Sequence, residues 1–190
     1  MWAADADAMV RTWDPNPEMS PSVPFLKFPY PCKGYVGGEK GFDPLNITDN
    51  YPVYWLREAE LKHGRICMLA TVGWIATDLG LRFPGEKFQG VSTFDAHEIM
   101  VSNGYMEVLA GMILTAEVYG WLLFYDGWMG TIDREAGDFY VGKKFLPSDL
   151  QKADEMRLKE LENGRLAMLA FSGIITQAYL TKGGTWPFMG

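Results

Sequence analysis

Three long stretches of mainly apolar residues alternate, along this 190-residue chain, with polar segments that contain glycine and proline. Their periodicity and stop signals predict helices over about 53–81, 95–125 and 149–180. In the first helix, the part from residue 60 to residue 81 is roughly 33 Å long at about 1.5 Å per residue. A helix of that length crosses a hydrocarbon core of about 30 Å. The pattern therefore predicts an all-α membrane protein with three transmembrane helices.

The segment before the first helix has a different composition. Seven of the eleven prolines lie within the first 50 residues, together with Gly37 and Gly38. Such a composition predicts an extended segment without regular structure over 1–52. A chain of this length is most simply one domain, here 1–190.

The first and third helices contain an internal repeat. Glu60-Leu61-Lys62-His63-Gly64-Arg65 heads one apolar run, and Glu160-Leu161-Glu162-Asn163-Gly164-Arg165 heads the other, 100 residues later. At this offset ten residues recur, namely Arg57, Glu60, Leu61, Gly64, Arg65, Met68, Leu69, Ala70, Gly73 and Ile75. So long a match at one register indicates a duplicated structural unit.

Each copy places a Glu and an Arg where a membrane helix would otherwise be apolar, and such groups are costly and usually functional. Two copies of one unit commonly pack about a pseudo-two-fold axis. Helices 1 and 3 are therefore expected to form a crossed pair with helix 2 beside them. In that arrangement Glu60 faces Arg165 and Glu160 faces Arg65, and each pair neutralises charge. One alternative is that these ion pairs only lock the helices together.

Composition and charge agree with a membrane protein that has substantial polar loops. Hydrophobic residues make up 48% of the chain and charged residues 22%. A net charge of −7 argues against a nucleic-acid partner, which requires clustered basic residues. Of 17 basic residues, only Arg82, Lys87 and Lys182 fall on the side of the first interhelical loop. The positive-inside rule therefore places the N-terminus on the side from which insertion occurs.

The donor atoms in the repeat point to a particular kind of metal. His63 and Asn163 follow Glu60 and Glu160 by three residues, and each of the four offers one neutral or anionic donor. Single donors suit a metal already held by a macrocycle and lacking an axial ligand, such as the hard magnesium of chlorophyll. Metal is therefore expected only as magnesium within chlorophyll.

A di-iron carboxylate enzyme is the alternative from another functional class. Glu-x-x-His is its signature, but that design needs the motif twice, and the second copy here ends in Asn163, a poor iron ligand. With two histidines in the chain and no paired nucleophile and base, we predict no catalytic residues and no enzyme activity.

The doubled motif, preceded by Gly41-Phe42-Asp43-Pro44-Leu45, resembles the light-harvesting chlorophyll-binding family over about half of the chain. Two further segments, Ser20-Pro21-Ser22-Val23-Pro24-Phe25-Leu26 and Leu81-Arg82-Phe83-Pro84-Gly85, are similar to the red-lineage branch, the fucoxanthin or peridinin chlorophyll a/c proteins.

The resemblance implies a set of magnesium ligands and a pigment-binding turn. The implied chlorophyll ligands are Glu60, His63, Glu117, Glu160, Asn163 and Gln177. It further implies that Arg65 and Arg165 hold the crossed ion pairs, and that Phe42, Asp43, Pro44 and Leu45 hold a carotenoid end group. Gln177 has an alternative role in a hydrogen bond to helix 1 near Thr77 or Asp78.

Helix 2 offers two further candidate ligands. Glu107 is either a ligand or a polar contact near the membrane surface, and His97 is either a ligand or an interfacial histidine.

The resemblance implies an antenna that binds chlorophyll a, chlorophyll c and carotenoids of the peridinin, fucoxanthin or diadinoxanthin type. Its expected location is the plastid thylakoid membrane, as a multi-pass protein with the N-terminus on the stromal side. Expected partners are lipids, neighbouring antenna subunits and a photosystem core, photosystem I in preference to photosystem II. The alternative within the family is a photoprotective relative that dissipates excitation.

Overall fold

The computed structural model describes residues 18–183, apart from the side chain of Lys143. Over these residues it is helical and has no strand beyond an isolated bridge between Met19 and Lys27. Its α-helices are α1 (Val53–Asp78), α2 (Ala96–Ser102), α3 (Tyr105–Trp128) and α4 (Leu150–Leu180). Residues 1–17 of the expected extended segment lie outside the described residues. From residue 18 to α1, the regular elements are 3₁₀ turns at Tyr30–Cys32 and Ile47–Asp49.

The three long helices end in the same way. Beyond α1, Gly80 has a φ of +86° and donates to the Thr77 carbonyl, while Leu81 donates to the Ala76 carbonyl. This Schellman pattern requires a left-handed residue just past the helix. Gly130 fills that position after α3 and Lys182 after α4. The expected ends of the first and second helices, at residues 81 and 125, are wrong because these helices end at Asp78 and Trp128, just before the left-handed Gly80 and Gly130.

The prediction of one continuous helix over 95–125 is also wrong. α2 ends at Ser102, Gly104 has a φ of +78°, and α3 begins at Tyr105. A left-handed residue cannot continue a right-handed helix, so Gly104 separates the two. His97 consequently lies on the short α2, whereas Glu107 and Glu117 lie on α3.

Among the described residues, α3 is the one helix both long enough and apolar enough to cross a membrane. α1 and α4 have 26 and 31 residues, but the repeated charged motifs lie within them. Three membrane-spanning helices therefore remain a prediction. The placement of the predicted second helix, which corresponds to α2 and α3, beside α1 and α4 also remains a prediction.

The described residues divide into two compact units. One consists of residues up to 62 and 121–162, and the other of 63–120 and residues from 163 onwards. In the first unit, Tyr54 stacks on Phe124 with ring centroids 5.5 Å apart, and Leu61 and Leu161 are buried. In the second, Ile174 and Ala178 are buried. A single domain over the whole chain stays a prediction.

Candidate functional site

Gly64 and Gly164 bring α1 and α4 into backbone contact. A methyl group at Gly64 would lie 3.0 Å from the Cα of Gly164, and one at Gly164 would lie 3.1 Å from the Cα of Gly64. The two glycines are equivalent positions of the repeat. Contact between equivalent residues is what a pseudo-two-fold pair of helices produces. A Cβ at either position would lie tighter against the partner backbone than ordinary Cβ contacts do, so the two helices would have to move apart by a few tenths of an ångström.

A second pair of contacts is also related by the offset of 100 residues. Gly37 packs against Leu161, and Gly137 packs against Leu61, with φ angles of +81° and +80°. These glycines lie in the segments that precede α1 and α4, outside the stretch of sequence identity. The duplication therefore extends into the loops. The signal that could have revealed it was the recurrence of glycine at the offset of 100 residues.

The predicted ligands of the repeat precede the contacting glycine on each helix. Glu60 and Glu160 are half-buried, whereas His63 and Asn163 are exposed, so equivalent residues have equivalent environments. Glu60 also accepts a hydrogen bond from Arg57 at 3.3 Å. The pairing of Glu60 with Arg165 and of Glu160 with Arg65 stays a prediction.

Among the described residues, the candidate ligands do not form a cluster that could bind a bare metal ion. Within residues 18–183, no group of three or more His, Cys, Asp or Glu side chains lies together in a way that could hold one. The donors are spread along helices instead.

None of the remaining candidates is fully buried. His97, Glu107 and Glu117 are exposed, and Gln177 is half-buried. The side chains of His97, Glu107 and Gln177 make no hydrogen bond or ion pair to any residue from 18 to 183.

The alternative partners of Gln177 are engaged elsewhere. Thr93 donates to Asp78 at 2.5 Å and lies 3.1 Å from the hydroxyl of Thr77. Ligation by Gln177, His97, Glu107 and Glu117 stays a prediction.

The turn before α1 combines a fixed carboxylate with exposed apolar groups. Asp43 accepts hydrogen bonds from the Ile47 amide at 2.9 Å, the Thr48 amide at 3.0 Å and the Thr48 hydroxyl at 2.8 Å. These bonds hold the turn in place. Phe42 and Leu45 remain 70% and 77% exposed, so the turn presents apolar surface outward.

The structure contains a buried ion pair, between Glu58 and Arg134, that the sequence does not predict. Arg134, whose side chain is 0% exposed, donates to Glu58 at 2.9 and 3.0 Å and to the Tyr54 hydroxyl at 2.7 Å. Arg134 also donates a hydrogen bond to the Asp138 carbonyl, and Glu58 accepts a hydrogen bond from the backbone amide of Gly137. The network joins the loop before α4 to the first turns of α1. Nothing in the sequence distinguishes Arg134 from the other basic loop residues.

The surroundings of two loop groups shift their pKa values. Burial acts to lower the pKa of the Arg134 guanidinium, but its hydrogen bonds to Glu58 and Tyr54 and its charge interactions with the same two residues together outweigh burial, so the pKa lies above its ordinary value. Burial raises the pKa of the Cys32 thiol, and the carboxylates of Asp43 and Glu60 raise it further. Arg134 is thus held as a cation and Cys32 as a neutral thiol.

The long helices expose far more apolar surface than they bury. Leu69 and Leu169, equivalent positions of the repeat, are both 76% exposed. Along α3, the buried residue is Gly120, whereas many large side chains are exposed, including Val108, Met112, Leu114, Val118 and Leu122. Contiguous apolar surface on this scale marks contact with a membrane, a ligand or another protein. The combination of apolar surface and single donor atoms fits large, flat, apolar macrocycles that each need one axial ligand.

Comparisons with known proteins point the same way. The profile of the chlorophyll A-B binding protein family matches residues 28–179. The chain is 30% identical over 181 residues to photosystem I chlorophyll a/b-binding protein 5 of Arabidopsis thaliana, covering 85% of this chain and 71% of that protein. It is 31% identical over 179 residues to a fucoxanthin-chlorophyll a-c binding protein of Isochrysis galbana, covering 84% and 81%.

A further similarity is to light-harvesting complex stress-related protein 1 of Chlamydomonas reinhardtii. The two are 34% identical over 150 residues, which cover 72% of this chain and 59% of that protein.

Proposed function

The chain belongs to the chlorophyll a-b binding protein family, and we propose which of its residues hold the pigments and where it works. It is a chlorophyll-binding light-harvesting protein of the antenna type, and its family is non-enzymatic. Antenna proteins associate with photosystems, and its relatives are chloroplast proteins. The finer assignments that follow are proposals.

Chlorophyll magnesium is held from two equivalent sides of the helix contact. On α1 the ligands are Glu60 and His63, and on α4 they are Glu160 and Asn163. Bound chlorophyll supplies the absorption of light and the transfer of excitation. The protein contributes the spacing and orientation of the rings and the polarity around each one. The backbone contact between Gly64 and Gly164 supports this proposal because it fixes the separation of the two ligand pairs.

Ion pairs between the two copies of the repeat neutralise the charges that lie within the membrane. Arg165 pairs with Glu60, and Arg65 pairs with Glu160. Each carboxylate retains lone pairs on its second oxygen, which can face a magnesium. Glu117 and Gln177 are further ligands on α3 and α4, and Glu107 and His97 are additional candidates.

The turn at Phe42 to Leu45 receives the end group of a carotenoid. Three hydrogen bonds to Asp43 fix the turn, and the exposed rings and alkyl groups on either side supply apolar contact. A polar end group and an apolar polyene would both find partners there.

The protein crosses the thylakoid membrane three times, with its N-terminus in the stroma and lipids around its apolar faces. The distribution of basic residues supports this orientation. It carries chlorophyll a, chlorophyll c and carotenoids of the fucoxanthin, peridinin or diadinoxanthin type, and similarity to a fucoxanthin-chlorophyll a-c binding protein supports that choice. Neighbouring antenna subunits and photosystem I are its partners. Similarity to a protein named for photosystem I supports this assignment.

Reconstitution of the chain with a mixed pigment extract tests the proposal. Chromatography of the purified complex should find chlorophyll a and chlorophyll c, and light absorbed by chlorophyll c or carotenoid should excite chlorophyll a fluorescence. Chlorophyll b in place of chlorophyll c would contradict the a/c assignment.

Similarity to a stress-related protein supports a second candidate, an antenna that dissipates excitation. A chlorophyll fluorescence lifetime that shortens when the isolated complex is acidified would favour dissipation over harvesting.

A further inference from the structure

Residues 18–28 form a small loop that is closed by its own backbone hydrogen bonds. The Ser20 amide donates to the Leu26 carbonyl at 2.9 Å, and the Phe28 amide donates to the Glu18 carbonyl at 2.8 Å. Within this loop Ser20 is the one buried residue, with 2% of its surface exposed. Serine is mostly an exposed residue in proteins, so the contacts of a buried one are informative.

The Ser20 hydroxyl joins this loop to the segment before α1. It donates a hydrogen bond to the Gly41 carbonyl at 2.6 Å, and the Lys40 carbonyl lies 3.3 Å from the same oxygen. A second bond, from the Ser22 amide to the Lys40 carbonyl at 3.2 Å, attaches the same two segments. Ser20 and Gly41 are 21 residues apart, so this is a tertiary contact that fixes one segment against the other.

Gly41 is enclosed on its remaining sides. Its φ is +57°, a conformation that favours glycine, and a methyl group added there would lie 2.6 Å from the Phe28 ring. Its amide donates to the Gly38 carbonyl at 2.9 Å. The amide, the α-carbon and the carbonyl of Gly41 are thus each held by a neighbour. The next residue is Phe42, the first of the turn that we propose to receive a carotenoid end group.

Hydrogen bonds therefore fix the turn at residues 42–45 from both sides. On its far side Asp43 accepts three hydrogen bonds from Ile47 and Thr48, and on its near side Ser20 holds the Gly41 carbonyl. Packing adds little, since Phe42 and Leu45 are 70% and 77% exposed. Ordering a loose turn on binding would cost conformational entropy, so a turn that is already fixed binds a ligand more tightly.

We infer that Ser20 is a positioning residue for the carotenoid end group. This inference rests on the proposed carotenoid site at residues 42–45. The Ser20 hydroxyl is spent on the Gly41 carbonyl, so it acts through the turn rather than by touching the pigment. Without the hydroxyl the Gly41 carbonyl loses this donor, and the turn gains freedom that carotenoid binding must remove again. The proposed chlorophyll ligands lie on helices, so their pigments do not depend on this bond.

The test compares the wild type with Ser20→Ala, which removes the hydroxyl alone. Both chains are reconstituted with fixed chlorophyll and increasing amounts of the carotenoid fraction of the pigment extract, and bound pigments are counted by chromatography. When carotenoid is limiting, Ser20→Ala should bind one carotenoid fewer per polypeptide and keep the wild-type number of chlorophylls. It should need about 2- to 10-fold more carotenoid to regain that pigment, as expected for the loss of one hydrogen bond.

Ser22→Ala is the matched control. Ser22 is exposed, and its hydroxyl lies 3.1 Å from that of Ser20. Removing the Ser22 hydroxyl leaves the bond from Ser20 to the Gly41 carbonyl and the bond from the Ser22 amide to the Lys40 carbonyl in place. Ser22→Ala should therefore bind carotenoid as the wild type does.

Equal carotenoid binding by the wild type and Ser20→Ala would overturn the inference. A loss of chlorophyll and carotenoid in the same proportion would also overturn it, because Ser20 would then serve the stability of the whole fold. Should Ser20→Ala fail to assemble, Ser20→Cys, which has a weaker donor, is judged by the same criteria, and failure of both counts as the proportional loss. A wild-type chain that binds chlorophyll without carotenoid would instead overturn the proposed carotenoid site, and one that binds no pigment would overturn the proposed function.

Discussion

Two glycines of α1 show how different surroundings give one residue type different roles. Gly64 lies against the backbone of Gly164, whereas nothing lies within 4 Å of a methyl group added at Gly73. Both glycines recur in the second copy of the repeat. Gly64 therefore serves the contact between helices, and Gly73 leaves open space at the helix surface.

Gly64→Ala should weaken the complex because backbone atoms of Gly164 cannot move aside as a flexible side chain could. The expected loss is about 1–3 kcal/mol, typical of overpacking. Gly73→Ala is the matched control, and it should be neutral or stabilise the helix by up to about 1 kcal/mol, since alanine is the better helix former. Thermal loss of pigment-dependent circular dichroism measures both. Equal midpoints for the two variants would show that the Gly64 contact does not hold the helices together.

At this scale the sequence predicts the residues of the repeat, but not the partners of loop residues. Periodicity and the fixed offset pick out Gly64 and its twin because both lie within a long match. Arg134 gives no such signal, since its partner Glu58 is 76 residues away and only folding brings them together.

The starts of two long helices are predicted to within one residue. The start of α1 at Val53 agrees with the predicted start, and that of α4 at Leu150 lies one residue beyond it. The sequence does not predict the break between α2 and α3, because Asn103-Gly104 lies within an otherwise apolar stretch. Whether a single glycine stops a helix depends on its φ, which the sequence does not state.

The loop before α4 is joined to α1 by the Glu58–Arg134 pair. Arg134→Met should destabilise the complex by about 3–5 kcal/mol, because it leaves Glu58 charged, buried and without its cation. Changing both residues to Met should restore much of that loss, apart from the hydrogen bonds that Arg134 donates to Tyr54 and to the Asp138 carbonyl and the one that Glu58 accepts from the Gly137 amide. The measurement is the midpoint of thermal pigment release in detergent.

Lys40→Met provides the control for this prediction. Lys40 pairs with Glu162 at 3.3 Å, but both side chains are well exposed, so its loss should cost about 1 kcal/mol or less. A midpoint for Arg134→Met as high as that for Lys40→Met would contradict a structural role for the buried pair.

The molecule as a whole has a small core and a large apolar surface. Among the described residues, the buried apolar side chains are Leu61, Ala153, Leu161, Ala167, Ile174 and Ala178. Such a core is slight for a chain of this size. The exposed apolar residues of α1, α3 and α4 therefore need cover from outside the polypeptide. Chlorophylls, carotenoids and lipids supply that cover in the proposed complex, so pigment binding and stability are expected to be coupled.

The central claim is that the repeated motif binds chlorophyll from both copies. The number of chlorophylls per polypeptide, measured by pigment chromatography after reconstitution, tests it most directly in the double variant His63→Leu with Asn163→Leu. Both residues are neutral donors on exposed helix surface, so their loss leaves no buried charge behind. Gln151→Leu, at an exposed position on α4, is the control and should keep the wild-type number. We predict two fewer chlorophylls in the double variant, and an unchanged number would contradict the account.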